Sequence, residues 1–479
     1  MNITGKVAAT KWGIIGLGLI MVTLMFTGTS WAQQATPPPE QPKVKVKAEP
    51  AAELPKEELK PSQEPGYFPS IVPYDRKLTL EIGPVSGILA PYGNPAALDT
   101  LRLGKAVKAG PLRVAPFLET DIGYRSNLFQ TSNDKRATSV FAVNPGMYVE
   151  LPMAHTHKIS VGYLGNAIVY PAADLDDYSH YDSNVNVDAS FNFPGGLSLR
   201  AGNYLRIATE EPTAQNTNQR FYHQWTPYFL ANYAFADRWK LQAIYEFNKL
   251  YFAASARSPQ NDYNENVGGV ALYYKILPKT AVLGQFIVSQ RTYPSQTISN
   301  NYTYTPMVGL TWDATAKLSG IVKAGYTIKD FENDQSGLLE KTPSTPAFSA
   351  QVTYKFDRRT NLALTAQRGI NQDADLAGNT AYDNTAFYVT LNHLWAYWNL
   401  SSYVNVSYTI NDYINRSQDP GDGFKFRQDS LISTGVGFSR PLTRYLRLRL
   451  DYSYTNKASN FTSYSYNEHR MIFGIQATM

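Results

Sequence analysis

The chain has 479 residues, a formal net charge of +5 and no cysteine. The absence of cysteine excludes a disulfide, a c-type haem attachment and the attachment of a lipid to a cysteine thiol. The length corresponds to roughly three ordinary soluble domains, but no change of composition after about Gly110 divides the chain in that way.

Residues 1–32 are predicted to form a secretory signal peptide. Lys6 and Lys11 make a basic region, Trp12–Phe26 is the apolar core, and Ser30-Trp31-Ala32 supplies a cleavage site before Gln33. The alternative is a single membrane anchor, which the glycines in this short apolar run disfavour. Beyond the signal, no apolar run has the length of a transmembrane helix.

Two further segments precede the first long strand. Residues 33–66 are rich in Pro, Lys and Glu, which predicts a disordered periplasmic tether because this composition cannot bury a core. The run Lys43–Lys47 could alternatively pair as a short strand. Residues 67–111 are of mixed composition and are interpreted as a periplasmic or plug-like segment.

From Leu112 onward, apolar and polar residues alternate in long segments, most clearly in Tyr445–Tyr454. There Leu446, Leu448 and Leu450 share one face, and charged residues share the other. A soluble sandwich would turn the charged face to water outside, whereas a transmembrane barrel turns it to an aqueous lumen. An exported chain without a spanning helix favours the barrel, because closure satisfies every backbone group.

About 18 such strands fit between residues 112 and 479, an even number within the bacterial outer-membrane range. Short turns alternate with longer polar loops, such as Tyr413–Phe426 between predicted strands Asn399–Asp412 and Gln428–Arg440. We therefore predict an all-β fold, a single large antiparallel β-barrel over residues 112–479 in the cell outer membrane. The even strand count places both ends of the barrel on the periplasmic side.

The first barrel hairpin carries a family resemblance. Gly110–Pro116 leads into Ile122–Phe129, and Asn144-Pro145-Gly146 follows. This region, with the barrel from Leu112 to Met479, resembles the outer-membrane β-barrel porin family that is often associated with exopolysaccharide export. Members tend to carry a Gly-Tyr-x-x-Asn-x-Phe hairpin with Asp in the middle, where this chain has Arg125 and Ser126. The resemblance implies a polymer-conducting pore and identifies no substrate.

An excess of basic residues is predicted on the inward face of the barrel. Inward acids are fewer, and those identified by alternation are Asp188, Glu246 and Asp451. Basic groups in a lumen lower the energy of entering anions; the alternative is that they only hydrate the pore and pair with acids. The predicted lumen or substrate-path residues are Arg200, Arg206, Lys323, Lys355, Arg447, Arg449 and Arg470.

The sequence gives no support for catalysis, because no nucleophile and base fall into a recognisable pattern. We expect no enzyme activity and no cofactor. A cluster of Asp174, Asp176, Asp177, His180 and Asp182 could hold a hard cation such as Ca²⁺. A solvated loop is the preferred interpretation of that cluster.

The leading functional hypothesis is a channel that secretes an anionic or neutral polysaccharide from the periplasm. One alternative is a general diffusion porin that prefers anions, and another is a structural sheath or docking barrel for a periplasmic partner. The expected partners are outer-membrane lipid and lipopolysaccharide, periplasmic export or assembly proteins, and the polysaccharide. We expect no nucleic-acid partner.

Overall fold

The computed structural model describes residues 107–153, 157–212, 219–253, 262–295, 297–313, 317–332, 342–372, 381–419 and 422–478. The predicted signal peptide, the tether and most of segment 67–111 lie outside these ranges. Within the ranges described, no helix is long and apolar enough to cross a membrane.

Nineteen strands account for most of the described residues. The first ten are β1 (Val107–Ala109), β2 (Leu112–Arg125), β3 (Thr138–Met153), β4 (His157–Val169), β5 (His180–Asn192), β6 (Leu197–Glu210), β7 (Arg220–Phe235), β8 (Trp239–Phe252), β9 (Tyr263–Leu277) and β10 (Thr280–Thr292). The others are β11 (Asn301–Trp312), β12 (Leu318–Phe331), β13 (Ser344–Lys355), β14 (Thr360–Gln372), β15 (Ala381–Trp395), β16 (Leu400–Asp419), β17 (Gly423–Pro441), β18 (Leu446–Ser459) and β19 (Tyr466–Thr478). Three short 3₁₀ helices, Asp176–Tyr178, Thr297–Ser299 and Thr462–Tyr464, lie between strands.

The sheet closes on itself. Each strand from β2 to β18 pairs antiparallel with the next, and β19 pairs with β2 from Thr478↔Phe117 to Arg470↔Arg125. The predicted closed barrel of 18 strands is confirmed. The three-residue β1 forms a hairpin with the start of β2 around Gly110, whose φ of +62° suits glycine.

Alternation separates an apolar outer face from a polar inner face. Leu450, Phe473 and Ile122 are register partners on β18, β19 and β2, and all three are exposed. Their neighbours Asp451 and Asp121 are buried and point the other way. The outer face therefore suits lipid, and the inner face lines the lumen.

The two rims differ in how they connect strands. At the rim where β2 begins, the turns are short, as at residues 193–196, 236–238 and 442–445. At the other rim the connections are longer, as at residues 126–137 and 170–179. Outer-membrane barrels keep short turns in the periplasm and long loops outside. We call these the periplasmic rim and the extracellular rim.

One predicted loop is wrong. Residues 413–419 belong to β16 and residues 423–426 belong to β17; these strands are 20 and 19 residues long and pair from Arg416↔Phe426 to Asp419↔Gly423. The Asn, Asp and Ser content indicated a loop, but aromatic residues on both sides support strand pairing. Gly423, the first residue of β17, has a φ of +78°.

The main apolar core lies inside the barrel, against the wall formed by β3 and β4. Leu128 and Leu175 come from two extracellular loops and pack on the inward-facing Val140, Ala142 and Ile168. These loops therefore fold into the lumen and leave less room for solute on this side at its extracellular end.

Candidate lumen site

The strand register places all seven predicted lumen residues on inward positions. Arg200 and Arg206 lie on β6, Lys323 on β12, Lys355 at the periplasmic end of β13, and Arg470 on β19. Arg447 and Arg449 lie on β18. Their contacts differ greatly, and their role in a substrate path stays a prediction.

Arg449 is held by three carboxylates. One of its guanidinium nitrogens, Nη2, lies 3.0 Å from Glu119 Oε1 and 3.1 Å from Asp121 Oδ1. Its Nε lies 3.0 Å from Asp451 Oδ2, close enough for an ion pair but without the angle of a hydrogen bond. Tyr403 donates its hydroxyl to Asp451 Oδ1 at 2.5 Å. The positive charge of Arg449 is thus offset within the wall.

Gly474 makes this network possible. It lies on β19 between Arg449 of β18 and Asp121 of β2 in the register. A Cβ at this position would stand 2.4 Å from Asp121 Oδ1 and 3.4 Å from Arg449 Nε. Because glycine leaves that space empty, the arginine reaches across one whole strand to its partners.

The inward acids at the seam between β19 and β2 were not among those predicted from the sequence. Glu119 and Asp121 of β2 and Glu468 of β19 are all buried on the inner face. Alternation in the sequence does indicate that the two β2 acids share a face, because Leu118, Thr120 and Ile122 alternate with them. The lumen wall therefore carries more negative charge than the sequence analysis assigned to it.

Arg200 belongs to a second paired site. Its Nε lies 2.6 Å from Asp188 Oδ2, and Tyr228 donates its hydroxyl to the same oxygen at 2.5 Å. The Tyr228 ring lies where a Cβ on Gly202 would be, 2.5 Å from its Cζ. The glycine thus lets the tyrosine lie flat along the wall.

The other predicted lumen residues make contacts of several kinds. The guanidinium carbon of Arg206 lies 5.6 Å from the centre of the Tyr222 ring, and the Nζ of Lys323 donates to Gln285 at 3.4 Å. Arg470 pairs with Glu468 at 3.2 Å. Lys355 is exposed at the periplasmic mouth.

A buried group of charges, which we call the Arg125 cluster, ties the loops to the wall at the extracellular end. It consists of Arg125, Glu211, Glu468 and Tyr170. Arg125, 1% exposed, lies 2.6 Å through Nε from Glu468 and 2.5 Å through Nη1 from Glu211. Glu211 also accepts the Tyr170 hydroxyl. Residues from four parts of the chain are joined here.

The charges around Glu211 decide how it ionises. Burial alone would raise the pKa of its carboxyl, but the positive charge of Arg125 and the hydrogen bonds from Tyr170 and Arg125 outweigh burial. The pKa of Glu211 is therefore held below its ordinary value. The Arg125 cluster is built around ionised carboxylates.

Asn127, which belongs to the hairpin motif noted in the sequence, stabilises the loop after β2. The side-chain amide of Asn127, which is fully buried, donates to the carbonyls of Thr131 and Asn467. Its Oδ1 accepts from the Thr131 amide at 3.2 Å. Asn127 therefore shapes the loop after β2 and fixes it to β19, while Arg125 points into the Arg125 cluster.

A second buried arginine, Arg427, lies on β17 near the extracellular rim. Arg427 is fully buried and forms two hydrogen bonds with Asp429, at 2.9 and 2.5 Å. Its guanidinium carbon lies 4.6 Å from the centre of the Tyr413 ring and 3.9 Å from that of Tyr464. This arginine joins the long β16–β17 hairpin to the loop before β19.

The side chains of the acidic segment considered as a cation site do not meet around one point. Asp174 forms an ion pair with Arg136, and Asp182 accepts the Thr209 amide at 2.8 Å. The Nδ1 of His180 lies 2.7 Å from the Tyr178 carbonyl. In the part of the chain that the structure describes, no group of three or more His, Asp or Glu side chains could hold a metal ion.

Residues 105–479 match the protein family described as "Putative beta-barrel porin 2". The chain belongs to this porin family. It is accordingly an outer-membrane β-barrel porin, a channel and not an enzyme, as the sequence predicted. The family description names no polysaccharide, and no curated protein matches the chain.

Solved structures give more distant similarities. The outer-membrane protein OpdK of Pseudomonas aeruginosa is 12% identical with a TM-score of 0.42, and the match covers 76% of this chain and 99% of OpdK. OccAB3 of Acinetobacter baumannii is 10% identical with a TM-score of 0.43, covering 77% and 99%. OccK9 of P. aeruginosa is 10% identical with a TM-score of 0.44, covering 77% and 98%.

Proposed function

We propose that this porin is a general diffusion channel that prefers small anions. The observation that carries the proposal is the set of basic side chains on inward positions at the periplasmic mouth. This set consists of Lys158, Lys240, Lys275, Lys355 and Arg447. The inward acid beside them, Glu150, lies 3.1 Å from Arg113.

The balance of basic and acidic side chains decides the net charge of each part of the lumen. Arg200, Arg449 and Arg470 are each in ion pairs with carboxylates of the wall, so each such group adds little net charge. In the part of the mouth that the structure describes, the five bases of this set outnumber Glu150, which gives the mouth a net positive charge. Fixed positive charge at a narrow entrance raises the local concentration of anions.

The reversal potential across a planar bilayer under a salt gradient tests this proposal. We expect anion preference in the wild-type protein, weakening as salt screens the charges over about 10 Å at 0.1 M. The double change Lys355→Glu and Arg447→Glu should move the reversal potential towards cations. Lys279→Glu, in the exposed turn between β9 and β10, is the control and should have a smaller effect than the double change. An unchanged reversal potential in the double variant would refute the anion preference.

Polysaccharide secretion is the second candidate. It is favoured by the position of these five bases, which face the periplasm, where a polymer leaving the cell would enter. Tyr228, Tyr403 and Asn405 supply inward hydroxyl and amide groups that suit sugar hydroxyls. Deleting the protein distinguishes the two functions: loss of surface polysaccharide supports export, and slower uptake of small anions supports diffusion. If the purified barrel conducts nothing, both transport functions are refuted and the hypothesis of a structural sheath or docking barrel remains.

A further inference from the structure

Three adjacent turns of the periplasmic rim form a surface that the pore does not use. They lie between β13 and β14, β15 and β16, and β17 and β18. The Leu394 amide donates to the Arg359 carbonyl at 2.9 Å, and Ser401 pairs with Ser439, so the turns are neighbours. We call this surface the arginine–aromatic arch. It consists of Arg358, Arg359, Trp395, Tyr397, Trp398, Arg440, Arg444 and Tyr445.

The middle turn presents aromatic rings to the outside. Tyr397 is 95% exposed and Trp398 is 54% exposed. Trp395 stacks on Trp398 with ring centres 5.9 Å apart, and its Nε1 donates to Ser402 Oγ at 2.9 Å. The apolar outer face continues directly from this turn through Trp395 and Leu391, which share the outward face of β15. Large rings at such exposure fit the boundary between acyl chains and headgroups.

The flanking turns and the periplasmic end of β17 add four exposed arginines. Arg358 and Arg359 lie on one side, and Arg440 and Arg444 lie on the other. The guanidinium carbon of Arg444 lies 4.5 Å from the centre of the Tyr445 ring. Asp357 is the acid of these turns, and its Oδ1 already accepts the amides of Arg359 and Thr360 at 2.6 and 2.7 Å. The arch is therefore net positive.

Other parts of the same rim lack this combination. The turn between β5 and β6, Phe193-Pro194-Gly195-Gly196, carries no charge. The turn between β7 and β8 balances Arg238 with Asp237. Relative to these two described turns, arginine beside protruding aromatic rings is concentrated at β13–β18.

We propose that the arginine–aromatic arch binds the headgroups of anionic phospholipids in the inner leaflet of the outer membrane. The arginines pair with lipid phosphates, and the aromatic rings lie at headgroup level beside the first acyl carbons. The charge of the arch complements an anionic lipid, and its apolar edge is continuous with the lipid-facing wall. This inference is independent of what the pore conducts.

Native mass spectrometry of the full protein in detergent, titrated with phosphatidylglycerol or with phosphatidylcholine, tests the proposal. We expect phosphatidylglycerol to be retained preferentially. The double variants Arg358→Gln/Arg359→Gln and Arg440→Gln/Arg444→Gln should each weaken it, with a roughly fivefold loss of affinity for each arginine. The matched control is Arg238→Gln/Lys279→Gln, which removes two exposed charges elsewhere on the rim and should have little effect.

Two outcomes would overturn the proposal. Equal binding of the two lipids would mean that the arch does not recognise headgroup charge and is a surface for a protein partner or for none. An equal loss in the control variant would mean that the rim attracts anionic lipid as a whole. Because three of the arginines are exposed on turns and Arg440 is exposed at the end of β17, the variants are expected to fold, which resistance to unfolding in unheated gel samples verifies.

Discussion

Arginine plays opposite parts at the two rims of this barrel. At the extracellular end, Arg125 is buried and each of its acidic partners is within hydrogen-bonding distance. At the periplasmic rim, the side chains of Arg358, Arg359, Arg440 and Arg444 are exposed, and the one acid beside them, Asp357, already accepts two backbone amides. Burial forces an arginine to be neutralised by the protein, whereas exposure leaves its charge available to solutes and lipids. The same residue type is therefore structural at one end and available for binding at the other.

Removing Arg125 should give the largest loss of stability. Arg125→Ala leaves Glu211 and Glu468 buried without their main counter-charge, which should cost about 3–5 kcal/mol in the free energy of unfolding. Arg113→Ala is the control, because the Arg113 side chain is 53% exposed in its pair with Glu150 and its loss should cost under about 1 kcal/mol. Urea unfolding in lipid vesicles measures both. Similar costs for the two variants would contradict the contrast between buried and exposed arginines.

A charge on the outer face should have the next largest effect. Leu450→Arg places a guanidinium among the exposed apolar partners Phe473 and Ile122, and should cost about 2–4 kcal/mol if it meets the bilayer core. Thr390→Arg, on the inner face of β15, is the matched control and should be nearly neutral. The same urea unfolding assay applies. A reversal of the two costs would mean that the register assigns the faces wrongly.

Filling the space at Gly474 should have a moderate effect. Gly474→Ala places a methyl group 2.4 Å from Asp121 Oδ1, and should cost about 1–3 kcal/mol because Arg449 must give up part of its contacts. Gly284→Ala is the control, since a Cβ there meets nothing within 4 Å. Unfolding midpoints of the two variants distinguish local crowding from a general intolerance of alanine in the wall.

The smallest expected effect is a loss of stability at low pH. Because the folded pKa of Glu211 is lowered, its contribution is present above the ordinary pKa and is lost as pH falls through the folded value. The stability difference between wild type and Glu211→Gln should therefore be present at pH 7 and shrink below about pH 4. Urea unfolding across this range measures it. A difference that stays constant with pH would show that the charge of Glu211 does not stabilise the Arg125 cluster.

The barrel itself could be predicted from sequence because each strand carries its own evidence. Alternation in Tyr445–Tyr454 assigns its faces without knowledge of any other strand, and loop lengths assign the rims. The extension of β16 to Asp419 could not be recognised in this way. Its polar residues are typical of loops, and only pairing with β17 makes them a strand.

The site was harder to predict because it depends on pairs that are distant in sequence. Alternation places Arg449 on the inner face, but it does not show that Gly474 opens a path to Asp121. Alternation also says nothing of loops, so the inward fold of Leu128 and Leu175 was missed. The predicted excess of basic charge therefore applies to the periplasmic mouth better than to the middle of the lumen.

The seam between β19 and β2 has a consequence for how the protein is made. The partners Arg125 and Glu468 are 343 residues apart, and Arg449 and Asp121 are 328 residues apart. Such contacts form only after nearly the whole barrel sequence is available, which makes closure a late and entropically costly step in folding. Until then, both edge strands present unpaired backbone groups that other chains could capture. Biogenesis must therefore shield these two edges up to the moment at which the ion pairs of the seam bring them together.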